Sequence, residues 1–288
     1  MRIFRPLAAI LVAAPLACAV PAQAGPINDR IYPAPKVALT LDGTLAGTAP
    51  ITVVTRDGLS LTGLALPAQP GRPTLLVFHG NGSSATTLMR WFAPLAARGY
   101  GIVAAEYRGY SANPGKPSEP GLAADADSFL AYASGLRPTR LIVVGHSLGG
   151  AVALGLANRA KLDAVVTIGA FTQLREFVPK IARGLVSDRY DNLAAIATLD
   201  EPYFLIHGTA DDTVPSPMGS ALHAAAGTAH REGASFVIMG AGHAPTGEHL
   251  ATIVDEVNRH LDGAAFDAAR LPAEIKLVRF GETRPINP

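Results

Sequence analysis

Cysteine is almost missing from this chain: Cys18 is the only one in 288 residues. It lies in the apolar, uncharged run Leu7 to Val20, which is too short for a comfortable membrane span. Arg2 and Arg5 precede the run, and Ala22-Gln23-Ala24 follows it as a small-residue cleavage site. Residues 1–24 therefore read as a secretory leader, with the mature chain starting near Gly25 in the periplasm or outside the cell. An uncleaved membrane anchor is the alternative, and Pro15 and the shortness of the run argue against it. Leu16-Ala17-Cys18 partly matches a lipidation box, but Pro15 stands where that box usually has leucine. Without the leader no cysteine remains, which excludes disulfides, a thiol nucleophile and thiolate-ligated zinc.

Charge of one sign is missing as well. Of the 24 Lys and Arg, Arg2 and Arg5 belong to the leader, so 22 basic groups face 23 acidic ones in the mature chain. That balance offers no electrostatic footprint for nucleic acid or an anionic membrane. Internal repeats and heptads are absent too. About 260 mature residues suit one α/β domain with a sizeable core. The boundaries expected are an extended lead-in over 25–45, the domain over 46–262, and a tail over 263–288.

What is present is an alternation of strands and helices. Ile51 to Val54 and Leu59 to Leu66 flank the turn Arg56-Asp57-Gly58 and read as a hairpin. Thr74–Phe78, Ile102–Ala105, Leu141–Val144, Ala164–Ile168, Tyr203–Ile206 and Ser235–Met239 are short apolar runs that read as buried strands. Helical patterns over Thr86–Arg98, Gly121–Ser134, Ala151–Ala160 and Pro217–Ala226 separate them, which implies a mostly parallel sheet. The mixed stretch 172–200 is longer than a simple crossover and reads as a small helical cap. Asp125 and Asp127 are placed on a solvated helix face, and Glu106 with Arg108 as a local ion pair. Ile275 to Phe280 in the tail is a candidate edge strand.

The chemistry centres on Gly145-His146-Ser147-Leu148-Gly149, a G-x-S-x-G sequence between a buried strand and an Ala/Leu-rich helix. The pattern alone recurs by chance in a chain with 29 glycines; the strand–turn–helix context makes it a nucleophile elbow. Such a turn holds the Ser147 hydroxyl clear of the sheet over the amide end of the helix. Asp211 follows the strand Tyr203–Ile206 and is the candidate acid, with Asp212 as alternative. His243 follows the last parallel strand on a glycine-hinged loop. Of the eight histidines it alone has that position; His79 and His207 are read as braces, and His146 as tied up within the local turn. The order Ser, Asp, His along the chain is that of one class of serine hydrolases. His79-Gly80-Asn81-Gly82 after an early strand stands where such enzymes present their first oxyanion donor.

With Tyr107-Arg108-Gly109-Tyr110, Arg189-Tyr190-Asp191, His207-Gly208 and Val214-Pro215 added, the chain resembles the α/β-hydrolase superfamily over Ile51 to Leu261. It is most similar to small, short-cap members, a group that includes membrane-associated protein depalmitoylases. The resemblance implies Ser147 as nucleophile, Asp211 as acid and His243 as base, with the backbone N–H groups of Asn81 and Leu148 as oxyanion donors. Glu106 departs from the Asp usual before Tyr-Arg-Gly. The activity implied is hydrolysis of carboxylic esters or thioesters in a small-molecule or acylated substrate, with no metal or organic cofactor. A serine peptidase or amidase, and a non-catalytic binding protein on the same scaffold, are the competing readings.

Overall fold

The computed structural model describes residues 31–282 apart from Pro179, so the leader read in residues 1–24 lies outside the described residues. Nine strands form one sheet: β1 (Ala49–Val54), β2 (Ser60–Leu66), β3 (Thr74–Phe78), β4 (Gly101–Ala104), β5 (Leu141–His146), β6 (Ala164–Ile168), β7 (Tyr203–Gly208), β8 (Gly233–Ile238) and β9 (Ile275–Arg279). Their spatial order is β1-β2-β4-β3-β5-β6-β7-β8-β9. The six strands β3 to β8 run parallel, while β1, β2 and β9 pair antiparallel at the flanks. The sheet turns back between β3 and β5, so the loops leaving their carboxyl ends lie side by side. That switch point is where open α/β sheets bind ligands.

The side-chain period of two divides the core. Along β3, Leu76 and Phe78 enter one apolar layer and Leu75 and Val77 the other. The helices α3 (Glu119–Gly135), α4 (Leu148–Ala157), α5 (Asn192–Ala197) and α6 (Ser216–Thr228) cover the first layer. The helices α1 (Ala85–Trp91), α2 (Ala93–Ala97) and α7 (Gly247–Leu261) cover the second. In α7, Leu250, Ala251, Ile253, Val254 and Val257 supply the apolar face at helical spacing.

Several expectations need correction. The helix expected over Thr86–Arg98 is two helices broken at Phe92. Pro94 has no N–H to give the Arg90 carbonyl, and its ring crowds that carbonyl. The helix after the elbow begins at Leu148, three residues earlier than its Ala/Leu content suggested. Asp125 is fully buried rather than solvated, because its carboxylate accepts from Arg108 Nε at 2.8 Å and from the Arg108 N–H at 2.9 Å. Arg108 also grips Asp57 at 2.7 Å, so it does not pair with Glu106. Glu106 instead accepts from His79 Nε2 at 2.7 Å and from the Ala85 N–H at 2.9 Å, holding the amino end of α1.

Between β6 and β7 the chain forms two 3₁₀ turns, Leu174–Phe177 and Lys180–Leu185, and then α5. The lead-in reaches this segment. Tyr32 donates to Asp188 at 2.5 Å and lies 3.0 Å from the Tyr190 hydroxyl, all three residues being buried. The tail supplies β9, the expected edge strand, paired with β8 from Ala234 opposite Arg279 to Ile238 opposite Ile275.

Candidate active site

The elbow is built by glycine. Ser147 has φ 54° and ψ −116°, a conformation that L side chains adopt at a cost and that a surrounding fold must enforce. A methyl on Gly145 would fall 2.1 Å from Gly149 O, and one on Gly149 would fall 2.1 Å from Phe78 O. The first carbonyl is held in the opening turn of α4 and the second in β3, so only glycine lets α4 start this close to β3 and β5. The Ser147 N–H donates to Ile168 O at 2.9 Å, and Ser147 O accepts from the Gly150 N–H at 2.9 Å. Leu148 opens α4, so its N–H has no intrahelical partner and belongs to the electropositive end of the helix.

Beside the elbow lies the loop after β3. His79 is fully buried, as a brace should be, with Tyr107 donating to its carbonyl at 2.9 Å. The Asn81 side chain is engaged at both ends: its amide donates to Ile31 O, and its Oδ1 accepts from the Tyr110 hydroxyl at 2.8 Å. A methyl on Gly80 would lie 3.2 Å from Ser147 Cβ, which measures how closely this loop approaches the serine.

Asp211 and His243 meet on the same rim. Asp211 Oδ2 accepts from His243 Nδ1 at 2.8 Å, while Oδ1 accepts from the N–H groups of Thr213 at 3.0 Å and Val214 at 2.8 Å. A carboxylate only accepts, so Nδ1 carries a ring proton, and in the neutral imidazole this tautomer leaves Nε2 as the ring's acceptor. Burial works to raise the Asp211 pKa; the bonds from His243 and Val214 outweigh it and hold the carboxyl below its usual range. Asp212, the alternative acid, is exposed and among the described residues reaches only Thr213. Gly169, at the end of β6, has φ +55°, and a methyl there would sit 2.9 Å from His243 Nδ1 and 3.2 Å from Asp211 Oδ2. Among the described residues, Ser147 Oγ makes no hydrogen bond to the His243 ring in this arrangement.

Two contacts were not foreseen. The His146 ring leaves the turn and its Nε2 bonds the His243 carbonyl at 3.0 Å, with ring centroids 4.6 Å apart. The Trp91 indole N–H donates to Pro245 O at 2.7 Å and packs edge-on against His146 at 4.9 Å. Burial, with the His243 imidazole beside it, pulls the His146 ring down to about 4. Nothing in local sequence pattern signals these contacts, because each crosses between elements. Gly169 was signalled weakly, as a glycine ending a buried strand.

A family model described as "Alpha/beta hydrolase family" matches residues 75–192, the stretch from β3 to the start of α5. The chain is 36% identical over 205 residues to the Mycobacterium tuberculosis protein Rv2307c, covering 67% of this chain and 71% of that one. It is 32% identical over 154 residues to alpha/beta hydrolase domain-containing protein 17B of Xenopus laevis, covering 52% and 54% of the two chains. The Pyrococcus furiosus esterase Pf2001 superposes with a TM-score of 0.60 at 19% identity, over 80% of this chain and 96% of that one. Motif, strand order, switch-point loops and relatives agree: the chain belongs to the α/β-hydrolase family.

Proposed function

We propose that the protein is a serine hydrolase that cleaves carboxylic esters or thioesters through an acyl-enzyme on Ser147. A serine hydroxyl is a weak nucleophile until a base takes its proton. In this reading His243 Nε2 accepts the proton as Ser147 Oγ attacks the acyl carbonyl carbon. Asp211 fixes the tautomer and stabilises the imidazolium. The Asn81 and Leu148 N–H groups receive the oxyanion, each such donor being worth about 3 kcal/mol in the transition state. The imidazolium then gives its proton to the departing alcohol or thiol as the carbon–oxygen or carbon–sulfur bond breaks. Water repeats the attack, releasing the acid and restoring the serine.

The observation that carries this reading is the 2.8 Å Asp211–His243 bond on the rim that also holds the strained Ser147. The missing Ser147–His243 bond does not weigh against it, since catalytic hydrogen bonds are often long in the free enzyme and tighten with substrate. A fluorophosphonate probe tests it: wild type is expected to label, and Ser147→Ala is not. Absence of labelling in the folded wild-type protein would leave the binding-protein reading. Turnover of p-nitrophenyl esters in preference to aminoacyl anilides separates an esterase from a peptidase. The proposal extends to location: N-terminal sequencing of the exported chain is expected to begin near Gly25.

A further inference from the structure

Three alternate carbonyls of the loop that carries His243 are each tied to a different element. Ala241 O accepts from the Ala210 N–H at 2.9 Å, beyond β7. His243 O accepts from His146 Nε2 at 3.0 Å, in the elbow. Pro245 O accepts from Trp91 Nε1 at 2.7 Å, at the end of α1. The first tie is backbone to backbone; the other two come from side chains, one at His243's own carbonyl and one two residues on. Trp91 and His146 also pack edge-on, at 76° between ring planes, so the two donors brace one another. A carbonyl only accepts, so His146 Nε2 carries its proton, and the ring serves as a fixed neutral donor.

We propose that His146 and Trp91 are positioning residues that clamp the His243 loop, and that His146, next to the nucleophile in sequence, sets the distance between nucleophile and base. This rests on the serine-hydrolase reading of the site. The loop needs such a clamp because its hinges are glycines: Gly240 has φ +73°, and a methyl on Gly242 would come no nearer to another atom than 4.0 Å. A base on an unclamped glycine loop spreads over many positions, few of them near attack geometry. Misplacement by about 1 Å can cost on the order of 100-fold in rate.

The test uses the full chain and the variants His146→Leu, His146→Gln and Trp91→Phe. Leucine removes the donor, glutamine restores an N–H at similar reach, and phenylalanine keeps the edge-on ring while losing the indole N–H. Two readouts are taken: kcat and KM on a p-nitrophenyl ester, and the low-field proton NMR resonance of His243 Nδ1–H bonded to Asp211. The expected result is that His146→Leu and Trp91→Phe each lose roughly 10- to 100-fold in kcat. KM should stay within about twofold, His146→Gln should recover most of the loss, and the resonance should broaden in the two donor-less variants. Unchanged kcat with a sharp resonance in both would overturn the clamp, as would a rise in KM alone. Should His146→Leu fail to fold, Trp91→Phe decides the question. Should wild type neither turn over ester nor label, the hydrolase reading falls and the resonance alone decides the clamp.

Discussion

Asp211→Asn keeps the shape of the acid but removes the charge that fixes the His243 tautomer. It is expected to lower ester turnover by roughly 10³- to 10⁴-fold with little change in KM, as steady-state kinetics will measure. Asp212→Asn, at the exposed neighbour, is expected to leave both constants within about twofold, since surface changes away from a site have small effects. Gly149→Ala asks for a methyl 2.1 Å from the Phe78 carbonyl. The expected cost is about 3 kcal/mol or more, read from the midpoint of denaturant unfolding. These residues were legible in the sequence because the elbow concentrates its constraints in five consecutive positions. Asp211 and His243 were legible because a polar residue just past a buried strand has one place to go in a parallel sheet. His146 and Trp91 were not, because their partners are backbone carbonyls about 100 and 150 residues away, and a carbonyl has no sequence signature.

At the level of elements, apolar runs located the six parallel strands β3 to β8 to within a residue or two, since burial on both faces leaves little room for polar residues. Helix ends were less legible. Pro94 stands inside an unbroken apolar pattern, and period alone does not register a missing N–H. The buried carboxylate of Asp125 was misread for a related reason: a helix face can hold an ion pair as readily as water when Arg108 crosses to meet it. The edge strand β9 buries Ile275 and Val278 against the flank of β8. Ending the chain after Ala264 is expected to cost about 3 kcal/mol or more and to lower Tm by on the order of 10 °C in a thermal scan. Tyr32→Phe removes the phenol donor from the buried Asp188 carboxylate, and a loss of about 1–3 kcal/mol is expected in denaturant unfolding.

At the scale of the whole molecule, three histidines drawn out of water, His146, His207 and His223, are held neutral. Burial depresses His146 to about 4 and lowers His207 and His223 as well. Each titrates near pH 6.5 when unfolded, so the unfolded chain binds more protons between roughly pH 6.5 and 4, and stability falls as pH falls through that window. Asp125 runs the other way: burial raises it to about 6, so its folded form takes up a proton first and offsets part of the loss. Three histidines against one carboxyl leave a net decrease. Urea midpoints measured from pH 7 to pH 4 are expected to fall, and to fall less steeply in His146→Gln. Below about pH 4, Asp211 and Asp57, both held under the ordinary carboxylate range, add to the decline.

In the run β5-β6-β7-β8, the proposed reacting groups follow the first, third and fourth strands. The second is followed by Gly169, which contributes only room, and from there the chain makes a long excursion outside the sheet before returning as β7. Whatever that excursion touches is thus grafted onto the one strand end with no part in the proton relay. On the proposed reading of residues 172–200 as a cap over the site, mutation can recast them, and with them the guests admitted, while the strands that align the proposed reactive atoms keep their register. A descendant would acquire a new diet before it needed any new chemistry.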